Sequence, residues 1–541
     1  MRDGTVLRAD VYSPDDAASP LPAIVNRTPY ERRRSATVAA GIDPEVATAN
    51  GFVLVCQDVR GRGGSDGQFA TFLHDGDDTY DTVEWVAAQP WCSGAVGMTG
   101  RSYGGATQWL GAVRTPPHLK AMFPVVIGSN YYDSWIYQGG AFQLGFNLFW
   151  TRLMGESRAS QNLDALYRHL PLPTVPMEEG SVGARIYQTW LSHPTFDDYW
   201  KGLAVNRRYG QVTVPAYNVG GWYDLFLRGT LENYVGMRER GGSPEARGGQ
   251  RLLIGPWAHG STYGPYPDHN FADFEGNDDV DLDDVQVRFF ACHLRGDDNG
   301  FADEAPVRLF VMGANRWRDE DTWPPPAAVA RPWYLRAGGG LSPEPPAHGD
   351  APDTYVYDPA DPAPTVGGPT SLPAGMMKTN SGPRDQQKVE SRADVLVYTS
   401  EPLTRAVEVT GALTVTLHAA TSAVDTDFVA KLTDVDPDGR STILAEGILR
   451  CRYRKGFEEP QLMTPGRPEA LDIDLVATSN VFKPGHRIRV VVTSSSFPRF
   501  DRNANSGRPF GTDGPDDLRP AHQTVFHDAA RPSHIVLPIV G

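Results

Sequence analysis

The stretch Ala95-Val96-Gly97-Met98-Thr99-Gly100-Arg101-Ser102-Tyr103-Gly104-Gly105-Ala106 decides how the rest of this 541-residue chain is read. Residues 95–99 suit a short strand, residues 107–112 suit a helix, and between them stands G-x-S-x-G. A serine at the tip of a sharp strand-to-helix turn needs neighbours without Cβ atoms, because the strained backbone cannot otherwise close. Gly100, Gly104 and Gly105 meet that need. The motif therefore reads as a nucleophile elbow with Ser102 as the attacking group, in preference to a structural turn serine.

Working outward, residues 1–125 alternate β-rich runs (5–12, 22–26, 52–57, 95–99) with helical stretches such as 80–88, the βαβ pattern of a mostly parallel sheet. From 128 to about 209 the strand pattern lapses, and the aromatic-rich stretches 135–150 and 184–191 read as helices of an inserted cap. Strand-like runs return at 214–219, 251–255 and 307–312. Pro/Gly clusters at 324–326, 338–340 and 345–346 mark a boundary, and beyond 394 come runs at 412–419, 427–433, 443–454, 471–477, 486–494 and 533–539. The expected fold class is α/β: an α/β-hydrolase domain in two parts (1–127 and 211–325), a helical cap (128–210) and a C-terminal jelly-roll β-sandwich (326–541).

In that fold the acid and base follow the nucleophile, each just past a later strand. The run 214–219 leads into Gly220-Gly221-Trp222-Tyr223-Asp224, and 251–255 leads into Pro256-Trp257-Ala258-His259. Asp224 is the acid candidate and His259 the base candidate. His259 would take the Ser102 proton and return it to the leaving group, while Asp224 holds the imidazole tautomer. His269 and His293 also follow the elbow, but neither stands directly after a β-like run. The Tyr103 N–H supplies one oxyanion donor. A second is expected from the loop Val25-Asn26-Arg27-Thr28-Pro29-Tyr30, although from the residues alone Tyr30 reads as a turn or core tyrosine.

A net charge of −16 disfavours nucleic acid and anionic membrane surfaces as partners. The basic run Arg32-Arg33-Arg34 reads as a solvated loop or helix start. Four scattered cysteines without C-x-x-C spacing indicate neither a zinc site nor a disulfide framework, and no metal or cofactor is expected. No run approaches the roughly 20 apolar residues of a membrane helix, so a cytoplasmic protein is expected, with an upstream leader left open. Asp434-Val435-Asp436-Pro437-Asp438-Gly439 copies the start of a calcium loop but has Ala445 where the closing glutamate belongs, so it reads as a hairpin turn. Gly61-Arg62-Gly63-Gly64-Ser65 lacks the lysine of a phosphate loop and reads as structural.

Met1-Arg2-Asp3-Gly4 with Asp10-Val11-Tyr12, Thr28-Pro29-Tyr30, Gln57-Asp58-Val59-Arg60-Gly61, the elbow, the Asp224 and His259 segments and Asp425-Thr426-Asp427-Phe428 together resemble the CocE/NonD-type hydrolases, relatives of X-prolyl dipeptidyl-peptidases. The resemblance spans nearly the whole chain. It implies the same three-part architecture, a Ser102–His259–Asp224 triad, Tyr30 beside the Tyr103 N–H in the oxyanion hole, and an aromatic substrate pocket at Trp135, Trp150 and Phe226, whose other reading is core packing. The implied activity is cofactor-free hydrolysis of a small-molecule ester or amide through an acyl-enzyme. The alternative is an X-Pro dipeptidyl-peptidase-like or α-amino-acid ester hydrolase activity, which needs carboxylates to hold a substrate ammonium. Asp133, Glu178, Glu179, Asp197 and Asp198 are the cap acids available, and they read as solvated. Leu225 departs from the family pattern, so substrate identity is not carried over, and a homodimer is left open. A binding protein with a vestigial elbow is the rival class, disfavoured by the intact set of triad candidates.

Overall fold

The computed structural model describes all residues except 16, 35–40, 156–160, 261–264, 272–279, 347–348 and 374–378. The hydrolase part is built on β1 (Ala9–Tyr12), β2 (Leu21–Thr28), β3 (Val53–Asp58), α1 (Asp75–Ala87), β4 (Cys92–Arg101), α2 (Tyr103–Ala112) and β5 (Leu119–Val125). The cap contributes α3 (Leu144–Gly155) and α4 (Val182–Ser192), after which β6 (Tyr217–Tyr223), α5 (Leu227–Arg240), β7 (Arg251–Ala258), α6 (Leu282–Phe290), β8 (Val307–Val311) and β9 (Arg316–Glu320) complete the layer.

These strands form one nine-stranded sheet in the order β1-β3-β2-β4-β5-β6-β7-β8-β9. Neighbours from β3 to β8 pair in parallel, while β1 and β9 cap the edges antiparallel. A parallel sheet must be covered on both faces, which is why β3 and β6 are buried at every position. Alternation along each strand sorts the two cores. Val25, Val96 and Met98 pack with Val83 of α1 and Trp109 of α2 on one face. Ile24, Leu54 and Phe123 pack with Phe289 and Phe290 of α6 on the other.

The C-terminal part places eleven strands in a second hydrogen-bonded sheet. Its long members are β10 (Ala328–Arg336), β11 (Val407–Thr421), β12 (Asp427–Val435), β13 (Ser441–Arg450), β14 (Glu469–Phe482), β15 (Arg487–Thr493), β16 (Ala521–Phe526) and β17 (His534–Val540). Period-two alternation in β11 and β14 buries Leu413, Val415, Leu417, Leu471 and Ile473 in its core. Asp434–Gly439 is the expected hairpin connection of β12 and β13, with Asp436 Oδ1 accepting from the N–H groups of Asp438 and Arg440 (both 3.0 Å). Residues 451–454, expected as strand, are instead a turn, because Cys451–Tyr453 coil into a single 3-10 turn beyond β13.

Residues 135–150 are not one helix. Tyr132–Ile136 make one wide turn, Tyr137–Gln138 pairs with Ala141–Phe142 as a hairpin, and only then does α3 begin. Gly139, at φ +53°, turns that hairpin where a Cβ would lie 1.8 Å from the Ile448 carbonyl oxygen of β13. The Arg450 N–H donates to the Gly139 carbonyl at 2.8 Å, so contact with the C-terminal domain holds this hairpin in place. The run Arg32–Arg34 is not uniformly solvated either: Arg32 is 8% exposed and ion-paired with the fully buried Asp58 and with Asp10, whereas Arg33 and Arg34 stay in solvent. Among the described residues no helix is long and apolar enough to cross a membrane.

Candidate active site

Ser102 stands between β4 and α2 with φ +56° and ψ −120°, a backbone conformation that costs a non-glycine residue energy and is held only by its surroundings. The Ser102 N–H donates to Val125 O (2.9 Å), and its carbonyl accepts from the N–H groups of Gly105 (2.8 Å) and Ala106 (3.1 Å). A Cβ on Gly100 would meet the Gly104 backbone at 3.1 Å, and one on Gly105 would meet Ile127 at 2.9 Å. Those close approaches explain Gly100 and Gly105.

Because β4, β5, β6 and β7 are consecutive neighbours, their C-terminal ends lie side by side, and the residues that leave the last two meet the elbow. Asp224 follows the last residue of β6 and His259 the last residue of β7. His259 Nδ1 lies 2.8 Å from Asp224 Oδ1, and Nε2 lies 3.0 Å from Ser102 Oγ. With the Nδ1 proton donated to the carboxylate, the Nε2 lone pair accepts the Ser102 hydroxyl proton. Asp224 is 1% exposed, so its bond to His259 is shielded from water. The two other candidate histidines go elsewhere: burial pushes His293 down to about 4 as it packs on Phe289 (4.7 Å), and His269 meets Phe271 edge-on (4.3 Å) in a cleft with Asp434 and His486.

Tyr30 leaves the loop after β2 and points its hydroxyl at the elbow. It hydrogen-bonds Ser102 and accepts from Trp150 Nε1 at 2.9 Å. Burial raises the phenol above its ordinary pKa, opposed by those two bonds, so it stays protonated and able to donate at neutral pH. Arg62 braces this loop against the cap, donating to Pro29 O (2.9 Å) and to Met154 O at the end of α3 (2.7 Å). Tyr103 opens α2. Its N–H lies in the first turn, where no intrahelical acceptor exists, and the positive end of the helix faces Ser102. Its side chain turns away: the hydroxyl donates to Asp75 Oδ2 (2.6 Å) and accepts from Phe72 N–H (3.0 Å). Asp75 was missed as an anchor, since nothing local in the sequence links it to the elbow.

The three aromatic pocket candidates come together. Phe226 stands edge-on to the His259 ring at 4.8 Å, Trp135 lies 4.5 Å from Phe226, and Trp150 lies 6.0 Å from Trp135 and stacks on Tyr103 at 6.1 Å. Phe146 completes the wall, 5.8 Å from His259. The sequence signal for it was its spacing: Phe146 and Trp150 are i and i+4 on one helix, which puts both on the same face.

The cap acids have partners of their own or face solvent. Asp133 accepts from the Gly139 N–H (2.9 Å) and lies 3.8 Å from Arg228, so it is not a solvated group; burial raises its pKa against the pull of Arg228. Asp197 caps the helix Asp198–Leu203 and meets His193 at 2.6 Å. Glu178, Glu179 and Asp198 are exposed, as expected.

Residues 3–261 match the X-Pro dipeptidyl-peptidase (S15 family) model, and residues 299–536 match the X-Pro dipeptidyl-peptidase C-terminal non-catalytic domain. Cocaine esterase of Rhodococcus sp. is 36% identical over 570 aligned residues that cover 100% of this chain and 97% of that protein. An aminopeptidase from a marine sediment Thaumarchaeota archaeon superposes with a TM-score of 0.87 at 28% identity, over 100% of this chain and 95% of that one. An α-amino acid ester hydrolase superposes with a TM-score of 0.84 at 29% identity, again over 100% and 95%. With the elbow, the two matched domains and a full-length relative in agreement, the chain belongs to the CocE/NonD hydrolases, X-Pro dipeptidyl-peptidase-like serine ester hydrolases.

Proposed function

We propose that this enzyme cleaves a small, bulky or aromatic carboxylic ester through an acyl-enzyme on Ser102. The observation that carries the reading is the unbroken hydrogen-bonded chain Ser102 Oγ–His259–Asp224, with steps of 3.0 and 2.8 Å. His259 removes the hydroxyl proton as Ser102 Oγ attacks the ester carbonyl, and the tetrahedral oxyanion forms between the Tyr30 hydroxyl and the Tyr103 N–H. Collapse expels the alcohol with the proton from His259. A water then attacks the acyl-enzyme by the same route in reverse and releases the acid. The acyl group rests against Trp135, Trp150, Phe226 and Phe146, a wall of rings that suits flat apolar groups.

The engagement of Asp133 and Asp197 with partners of their own favours an ester substrate without a free α-ammonium over the aminopeptidase or amino-acid ester hydrolase reading. The four cysteines are all free thiols, which suits a reducing cytoplasm. The test is Ser102→Ala assayed with p-nitrophenyl esters of aliphatic, aromatic and α-amino acids. We expect turnover to fall by at least about a thousandfold, aromatic acyl esters to lead the wild-type panel, and a fluorophosphonate to label the wild type alone. Equal slow turnover by both proteins, or a strict need for the α-amine, would sink the reading.

A further inference from the structure

Asp224 uses only one of its carboxylate oxygens on His259. The other, Oδ2, is buried and has no hydrogen-bond partner among the described residues. A buried carboxylate oxygen left without a donor is costly, and native structures satisfy such atoms with protein groups or with ordered water. Behind Asp224 lies a small cavity of about 10 Å³, lined by Ser134, Gln138, Arg228, Ala445, Ala477 and Arg499 among others. That is close to the room one water needs, ~10–15 Å³ by the same measure.

The polar groups around it are set up from three directions. Arg499, from the C-terminal domain, donates Nη2 to Gln138 Oε1 (2.9 Å), and since a guanidinium only donates, the Gln138 amide N–H₂ is turned the other way. Ser134 Oγ donates its proton to Asn130 O (2.5 Å), leaving its lone pairs to accept. Arg228, from α5, forms the wall between this cavity and an outer cleft of about 720 Å³, and is held there by Asp474 (2.8 Å) and Asp133 (3.8 Å). Asp474 reaches Arg228 from an irregular stretch of β14, where the pairing with β11 shifts register and the β-branched Val476 sits at φ +68°. A β-branched residue in that region is strained and persists only where the surroundings impose it. The same Val476 lines both the cavity and the outer cleft.

We propose that the cavity holds one ordered water that donates to Asp224 Oδ2 and is held by the Gln138 amide, the Ser134 hydroxyl and Arg228. The cap and the C-terminal domain thereby position the acid of the triad. This rests on the reading of Asp224 as that acid. Gln138, Ser134 and Arg228 are positioning residues, none touching substrate. The charged and titratable groups around the pair are Arg228 and Arg499, the carboxylates Asp133, Asp474 and Glu446 bound to them, Glu232 beside Arg228, and the Tyr266 phenol.

A crystal structure of the wild type at a resolution that shows ordered solvent tests the site directly. We expect density within hydrogen-bond distance of Asp224 Oδ2 and Gln138 Nε2. An empty cavity, or a protein N–H on Oδ2, overturns the inference. Ala477→Val and Ala445→Val each add methyl groups to the cavity wall and displace the water. A carboxylate that has lost a donor binds the shared His259 proton more tightly, so the acid limb of kcat/KM moves to higher pH, with kcat down about tenfold and KM unchanged. Loss of the water with a wild-type profile overturns the positioning role. Asp224→Asn separates the two readings. If it keeps wild-type turnover, the triad reading itself fails; if it loses turnover while both cavity variants keep the wild-type profile, only the water inference fails.

Discussion

At Ser102 a left-handed backbone torsion turns a serine outward at the head of a helix, and Gly100 and Gly105 are glycines because particular atoms stand where their Cβ atoms would go. Ser102, Asp224 and His259 could be picked out in the sequence for one reason. Each directly follows a recognisable strand, and in a parallel sheet strand ends converge. Tyr30 could not be picked out that way, because its value lies in a hydroxyl aimed at Ser102 from the far side of a loop, and only family resemblance pointed to it. Tyr30→Phe tests that hydroxyl: kcat is expected to fall about a hundredfold with KM little changed, measured on a p-nitrophenyl ester, because the lost bond is strongest to the developing oxyanion. Arg32 was misread for a related reason. Three arginines in a row look solvated, yet Asp58 ends a strand buried at all positions, and Arg32 follows it inward.

In the cap, one element is decided by a contact outside it. Aromatic residues at near-helical spacing suggested one helix over 135–150, and the segment contains a hairpin instead. The deciding contact is between Gly139 and the backbone of β13, some 300 residues downstream (Ile448), which no local pattern carries. Gly139→Ala forces a Cβ against the Ile448 carbonyl at a positive φ and is expected to cost about 2–4 kcal/mol, read as a lower Tm in thermal unfolding. Gly202→Ala, in the helix Asp198–Leu203 with open space around its Cβ position, is the control and should hold or slightly raise Tm. Trp135, Trp150 and Phe226 are grouped only by family resemblance, and Phe146, one turn before Trp150 on α3, is added to them by the structure.

On the scale of the molecule, α5 of the hydrolase part, the cap and β14 of the C-terminal domain meet around Arg228, Glu232, Asp133 and Asp474. Burial pushes the Glu232 carboxyl up to about 7, with Asp133 and Asp474 adding to the rise and Arg228 opposing it. The folded protein thus holds this proton more tightly than the unfolded chain, whose glutamate keeps the ordinary value near 4.5. The contribution to stability is present in full below that value and is lost as pH rises through about 7. Glu232→Gln should raise Tm at pH 8 and leave it nearly unchanged near pH 4, so that the stability of the variant falls less with rising pH. A pH series of thermal melts checks this, and a variant less stable at pH 8 than the wild type contradicts it.

From its sequence alone the chain determined its fold class, the order of its layers and the stations of Ser102, Asp224 and His259, because hydrophobic periodicity and turn glycines are local and strand order follows from them. Only the tertiary structure decided the Tyr30–Ser102 contact, the anchoring of Tyr103 on Asp75, the break in the cap helix and the cavity behind Asp224. Each of these depends on atoms far apart in the chain, and on whether a buried polar group finds a partner, which is settled only once the domains have packed.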